Sequence, residues 1–302
     1  YNHIKFKQVD VIGGGYMAIE VFNRFEKKFF MNSKTYFRVS EELKKYMELD
    51  PYSEVGKGYT ISNIYYDTSD DLLVRRSLSK PVYKEKLRLR GYGVPEENGK
   101  VYLEIKKKFN GLVNKRRTTL YLNEAYDFIK TGKVPDYKEY MNLQVLKEIE
   151  YFLKCYKLVP AAYVAYDRVA YFEKDNPDLR ISLDTNLRTR RYDLELELGD
   201  YGEPLLDSAD LWLMEVKTSK TMPVWLTDIL SNYNIIPCSF SKYGYGFKKS
   251  VGAYTPMLKR ITAKAGSYVE AKEKYSAVRE SGNIITADFE QNFSKGYKTA
   301  NA

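Results

Sequence analysis

The stretch VYKEKLRLRGYG, residues 82–93, sets Lys86, Arg88 and Arg90 at every second position with Leu87 and Leu89 between them. Residues two apart on a strand share a face, so the spacing predicts a strand with cations on one side and leucines on the other. The same design recurs. Arg24, Glu26 and Lys28 alternate with Phe25 and Phe29, Glu104 and Lys106 with Leu103 and Ile105, and Glu215 and Lys217 with Met214 and Val216. Arg180, Ser182 and Asp184 alternate with Leu179, Ile181 and Leu183, and Arg168 stands alone in the aromatic run AYDRVAYF. One such segment is most simply a half-exposed strand with a solvated face. Six of them, with apolar partners large enough to pack under helices, predict apolar faces turned outward and cationic faces turned inward, the geometry of a closed antiparallel barrel. Unpaired buried charge is costly, so that interior needs a polyanion with metal, such as a nucleotide triphosphate or a phosphate chain.

Composition bounds the alternatives. A chain of 302 residues that is 44% hydrophobic, with 29 Tyr and 14 Phe, is long enough to bury a sizeable core. Its formal net charge of +9 favours phosphate compounds, nucleic acid or a lipid surface as partners. Cys155 and Cys238 lie far apart and His3 is the one histidine, which argues against zinc sites, Cys/His nucleophile pairs and Ser-His-Asp triads. No apolar run approaches the roughly 20 residues that span a bilayer, and the first residues do not resemble a signal peptide, so the expectation is a soluble, cytoplasmic protein without a transmembrane segment. Specific nucleic-acid binding would want exposed aromatics interleaved with surface cations; inward-pointing cations argue against it.

Strands are predicted over 20–31, 58–67, 82–92, 100–109, 112–121, 161–173, 179–190, 193–198, 210–217 and 238–242. Helical patterns cover 41–48, 70–79, 124–130, 137–157 and 223–231, the last with Pro223 at a first helical position. Many strands without a regular strand-helix repeat give an antiparallel α+β class. Residues 1–16 end in Gly13-Gly14-Gly15 and are expected to be an arm or an appended leader, 17–250 the folded domain, and 251–302 an accessory helix near 268–279 with a loose tail.

Taken in order, RFEKKF (24–29), SNIYYDT (62–68), KLRLRGYG (86–93), LEIKKKFNGLVNKRR (103–117), YDRVAY (166–171), LRISLDTNLRTR (179–190), LMEVK (213–217) and SFSKYG (239–244) resemble the VTC domain. That is the catalytic domain type of polyphosphate polymerases, within the triphosphate tunnel metalloenzyme, or CYTH-like, superfamily. The resemblance covers about residues 21–246. It implies an eight-stranded tunnel barrel with flanking helices that binds triphosphate and Mn²⁺ or Mg²⁺, with ATP as phosphoryl donor to a growing polyphosphate chain. Tripolyphosphatase or nucleotide triphosphatase activity, or non-catalytic sensing of polyphosphate or inositol phosphates, are the alternatives on the same fold. By the same resemblance Lys28, Arg88, Arg90, Lys106, Arg168, Arg180, Lys217 and Lys242 match the tunnel cations, Ser241 the serine beside the last lysine, and Glu215 the metal-binding glutamate. Arg88, Arg90, Arg168, Arg180 and Lys217 are then expected to act on the transferring phosphates, and Lys28, Lys86, Lys106, Ser241 and Lys242 to hold substrate. The chain departs from CYTH triphosphatases, whose first strand carries ExExK; here that run is Arg24-x-Glu26-x-Lys28, with one acid missing. Ser239 stands where some VTC sequences carry another cation.

Individual acids admit two readings. Glu215 is a metal ligand or the partner of a tunnel arginine, and Glu26 and Glu104 are second ligands or orienting partners for neighbouring cations. Asp184 is expected to hold tunnel arginines. Asp193, Glu195 and Glu197 are expected to face water, Lys107, Lys108, Lys115, Arg116 and Arg117 to form a solvated hairpin tip, and Tyr65, Tyr66 and Asp67 to be core and turn residues.

Overall fold

The protein is described here by a computed structural model covering residues 25–53, 58–110, 112–174, 176, 178–219, 221–254 and 256–257. Arg24, the leader 1–16 and the helix expected at 268–279 lie outside the described residues.

Eight long strands carry the fold: β1 (Phe25–Asn32), β3 (Tyr59–Thr68), β4 (Tyr83–Tyr92), β5 (Lys100–Phe109), β6 (Leu112–Tyr121), β7 (Leu158–Glu173), β8 (Arg180–Arg190) and β10 (Leu211–Thr218). They pair antiparallel in the order β1-β10-β8-β7-β3-β4-β5-β6. Three short strands attach to this path: β2 (Met47–Leu49) on β7, β9 (Glu203–Pro204) on β8, and β11 (Pro237–Cys238) on β1. Among the described residues no ladder joins β6 to β1 or β11, so the sheet is open in its backbone pairing. Side chains bridge the curl instead: Lys106 of β5 lies 3.9 Å from Glu26 of β1.

The outward faces bury the apolar half of each alternation. Leu87, Leu89, Leu103 and Ile105 form one core with Ala125 and Phe128 of α3 (Leu122–Thr131) and Val145, Leu146 and Ile149 of α4 (Leu143–Cys155). Phe29, Met31, Ile181, Leu183, Met214 and Val216 form a second with α1 (Ser33–Leu43) and α5 (Val224–Asn232). A third lies inside the curl. Phe30, Ile61, Tyr65, Tyr166 and Leu213 point inward at one end and pack on Phe240 and on Tyr243 and Tyr245 of α6 (Lys242–Ser250), which fills that end. Gly58 is needed where it stands, because a Cβ there would meet the Arg168 carbonyl oxygen at 2.7 Å and push β3 off β7.

Five local expectations change. Residues 193–198 form no strand: buried Arg190 collects the carbonyls of Asp193, Glu195 and Tyr201, so that backbone is bent around a guanidinium and has no ladder to join. Residues 238–242 are not one strand, since pairing ends at Cys238 and Ser241 caps α6 by accepting from the Gly244 N–H at 3.2 Å. The helix expected at 41–48 lies earlier, because Asn32 accepts from the Thr35 N–H and starts α1 directly after β1, with Tyr36, Val39, Ser40 and Leu43 on its buried stripe. Asn142 likewise starts α4 later than 137, and Pro223 is the N-cap of α5 with Val224 as its first residue.

Leu89 is fully buried between β4 and the α3–α4 layer. Leu89→Ala is expected to cost about 2–5 kcal/mol in denaturant unfolding, whereas Leu112→Ala, at an exposed position, stays within about 0.5 kcal/mol. Equal losses at the two positions would contradict the outward assignment of the leucine face.

Candidate anion-binding site

Register fixes which side chains share the interior. Lys86, Lys106 and Lys115 stand side by side across β4, β5 and β6, and Arg88, Glu104 and Arg117 form the next rung. Like charges directly opposite repel. On the other half Lys28, Glu215 and Ser182 form a rung across β1, β10 and β8, and Arg168 pairs with Asp184 between β7 and β8.

Four carboxylates tie these cations together. Glu104, 1% exposed, accepts from the Arg88 Nε at 2.6 Å, meets the Lys115 Nζ at 2.8 Å and lies 3.8 Å from the Arg90 Nε. Asp184, fully buried, accepts the Arg168 Nε and Nη2 at 2.6 and 2.8 Å and the Lys242 Nζ at 2.6 Å. The Glu215 Oε1 lies 3.2 Å from both Lys28 and Lys242, and its Oε2 lies 3.1 Å from Lys217 and 3.7 Å from Arg168. Glu26 meets Lys28 at 3.2 Å and Lys106 at 3.9 Å. Burial works to raise all four carboxyls, but the surrounding lysines and arginines outweigh it and hold each below the ordinary carboxylate range. The acids are ionised and still leave an excess of positive charge.

That excess falls on particular groups. Burial followed by the field of Lys106 and Lys84 pushes the Lys86 ammonium down to about 7. Burial, only partly opposed by Glu104, brings Lys115 to about 7 as well, with Arg90 and Arg88 adding to the effect. Glu26 draws Lys106 up, but burial, Lys28 and Arg88 leave it below the ordinary lysine value. By contrast Arg88 and Arg168 are held above theirs, where burial is overcome by Glu104 and by Asp184 respectively.

The candidate residues therefore do not all sit alike. Lys28, Lys217, Lys242, Arg168 and Glu215 form one continuous cluster, and Arg88, Arg90 and Lys106 line the facing strands. Ser241 links α6 to the rung through the Lys86 Nζ at 3.3 Å. Arg180 is exposed at the end of β8, over the Phe172 ring at 4.6 Å. Glu104 and Asp184 lie against guanidinium groups, the orienting geometry. Lys115, read from sequence as part of a solvated hairpin tip, is an interior cation; only the register that sets it beside Lys106 and Glu104 reveals this. Lys107 and Arg116 do face outward, onto Glu148 of α4. Asp67 and Tyr65 do more than fill core and turn: Asp67 accepts from the Tyr243 hydroxyl at 2.7 Å, Tyr243 stacks on Tyr65 at 4.5 Å, and the Tyr65 hydroxyl accepts from Arg88 at 3.2 Å.

Among the described residues no three His, Cys, Asp or Glu side chains converge to hold a metal by themselves. Glu215 with Glu26, joined through Lys28, offers one or two carboxylates. That donor set suits a small divalent ion that brings phosphate oxygens and water as its remaining ligands.

The family described as VTC domain matches this chain over residues 23–251. Vacuolar transporter chaperone complex subunit 4 of Trypanosoma cruzi is 25% identical over 238 residues, covering 68% of this chain and 30% of that protein. The subunit 4 of Trypanosoma brucei brucei is 25% identical over 237 residues with the same coverage. The chain thus spans under a third of the length of these relatives. Among solved structures, a Bacillus halodurans protein assigned as an adenylate cyclase matches with a TM-score of 0.45 at 14% identity, over 73% of this chain and 96% of that one. A Hippeastrum protein assigned as an adenylyl cyclase and described as having a dominant triphosphatase activity matches with a TM-score of 0.46 at 16% identity, over 79% and 98%.

With Lys86 and Lys115 lowered to about 7, the unfolded chain binds more protons than the folded one between about pH 7 and the ordinary lysine value of 10.5. Their contribution to the stability of the unliganded protein therefore rises with pH across that window. Filling the interior with an anion restores the protons. Titrating tripolyphosphate calorimetrically at pH 8, in buffers of differing ionisation enthalpy, is expected to show net proton uptake that shrinks toward pH 6. No uptake at pH 8 would mean that neither lysine meets the anion.

Proposed function

The chain belongs to the VTC domain family, and from that premise, joined to the cations gathered on its inward strand faces, we propose that it acts as a polyphosphate polymerase-type enzyme. It would transfer the γ-phosphate of ATP to a growing polyphosphate chain with the help of Mn²⁺ or Mg²⁺. The observation that carries the reading is the set of ion pairs made by Glu215, Asp184 and Glu104, which gathers Lys28, Lys242, Arg168, Arg88 and Arg90 on the inward side of the sheet.

The chemistry asks for charge placement more than for covalent participation. A terminal oxygen of the polyphosphate forms a bond to the γ-phosphorus as the bond from that phosphorus to the β,γ-bridging oxygen breaks, and ADP leaves with the electron pair. A terminal phosphate oxygen is already anionic and needs no general base. Arg88, Arg90 and Arg168 would neutralise the equatorial oxygens, their planar forks preset by carboxylates and so requiring little reorganisation. Lys28, Lys217 and Lys242 would hold flanking phosphates as point charges, with Lys86, Lys106 and Ser241 along the wall and Arg180 at its end. Glu215, with Glu26 beside it, would hold a divalent ion, which would supply Lewis-acid stabilisation of the phosphate charge.

A water nucleophile in the same space gives tripolyphosphatase or nucleotide triphosphatase activity instead. The close pairing of Glu215 with Lys28, Lys217 and Lys242 also favours a second reading, a non-catalytic module for polyphosphate or inositol phosphates, since that carboxylate is already neutralised by lysines. On either reading ATP, polyphosphate or tripolyphosphate are the partners, and nucleic acid is not a specific one. Among the described residues no helix is long and apolar enough to cross a membrane; we propose the cytoplasm as the compartment, and residues 17–250 as the working domain.

Incubation of the protein with ATP and Mn²⁺ or Mg²⁺, resolved on a gel, is expected to yield polyphosphate; free phosphate alone would identify a hydrolase, and neither product a sensor. Glu215→Gln, which preserves shape but removes the negative charge, is expected to abolish metal-dependent turnover. Arg88→Lys is expected to lower kcat at least tenfold, because a point charge cannot replace a fork held by Glu104. Full activity in both variants would sink the assignment of these residues.

A further inference from the structure

Along β4 the inward positions run Lys86, Arg88, Arg90 and then Tyr92, so the cationic wall ends on an aromatic ring. The ring is not alone. Tyr59 of β3 lies 5.9 Å from Tyr92 at a 45° tilt, and Tyr102 of β5 lies 5.6 Å from it at 87°. The Arg117 guanidinium of β6 stands over the Tyr102 ring at 5.1 Å. Tyr59 pairs in register with Arg168, and Tyr102 with Arg90, so this rim continues the two arginine positions proposed to grip the transferring phosphates. It lies at the end of β4 away from Lys86, which Ser241 joins to α6.

Packing accounts for only part of it. Tyr59 packs against the third core, but Tyr92 is 47% exposed and neither Tyr92 nor Tyr102 belongs to a core cluster. A half-open set of π faces with a guanidinium stacked on one edge is the chemistry that receives a planar aromatic ring carrying an anionic tail. Resting on the polymerase reading above, we propose that Tyr92, Tyr102 and Tyr59, with Arg117, form the subsite for the nucleobase of the nucleotide donor. The base stacks at the rim while its phosphates pass Arg90 and Arg88 in turn. The donor then enters from the tyrosine end, and the growing chain lies toward Lys86, Lys106 and Lys115.

Stacking on an aromatic face tolerates any base, so the subsite discriminates nucleotides from bare phosphate chains and not adenine from guanine. Binding of ATP, GTP and tripolyphosphate to the full chain is measured by calorimetry for the parent, Tyr92→Ala and Tyr102→Ala. Each substitution is expected to weaken ATP and GTP roughly 5- to 150-fold and to leave tripolyphosphate within about twofold. Should a truncation disturb the fold, Tyr92→Trp keeps a π face and adds a reporter: its emission, over that of Trp212 and Trp225, is expected to be quenched by ATP and not by tripolyphosphate. Equal loss of ATP and tripolyphosphate in the alanine variants, unchanged ATP binding in them, or quenching by tripolyphosphate overturns the subsite alone. Failure of the parent to bind tripolyphosphate overturns the site beneath it as well.

Discussion

The structure depends on keeping several cations close together on the inward faces of one curled sheet. Lys86, Lys106 and Lys115 occupy one rung across three strands, the arrangement that antiparallel pairing penalises most directly. Glu104 sits on the next rung and reaches Arg88 and Arg90 of β4 and Lys115 of β6. Asp184 and Glu215 do the same on the opposite wall and share Lys242 between them. Each acid serves several bases, so the repulsion falls without being cancelled. The residual charge is what a polyanion would relieve.

That electrostatic core stands on hydrophobic support. The inward faces can be polar because the outward leucines and isoleucines are buried under α3 and α4, and under α1 and α5 on the other side. Inside, α6 closes one end with Phe240, Tyr243 and Tyr245, and Lys242 rides on that plug into the acid cluster. Asp67 anchors the plug: it accepts from the Leu73 and Val74 N–H groups of α2 (Leu72–Leu78) as well as from the Tyr243 hydroxyl. A single buried carboxylate thus joins β3, α2 and α6, and through Tyr243 and Tyr65 it bears on Arg88.

Much of this was legible in the residue pattern. Period-two alternation located β5 and β6 at their observed limits and β3, β4 and β10 within a residue, because each strand has one apolar face under helices. What failed depended on distant contacts. The acidic alternation of 193–198 looks like a strand until Arg190 is seen to claim its carbonyls. Two glycines and three aromatics hid α6, whose start is fixed by the Ser241 cap and whose place is fixed by Asp67, far away in sequence. Lys115 was hidden because LVNKRR reads as a charged hairpin arm; only the two-strand register places it opposite Lys106. The residue types at Glu215, Arg168 and Lys217 pointed to one another, but which carboxylate oxygen met which cation was not in the spacing.

The interior also divides its cations by how firmly they hold charge. Arg88 and Arg168, each fixed by a buried carboxylate, are held above the ordinary arginine value and stay charged whatever occupies the space. Lys86 and Lys115, with less compensation, lie near 7 and carry full charge only when an anion restores it. Permanent charge therefore sits at Arg88 and Arg168, and conditional charge at Lys86 of β4 and Lys115 of β6. A polyanion on that wall would meet lysines whose charge rises as it arrives and falls as it leaves.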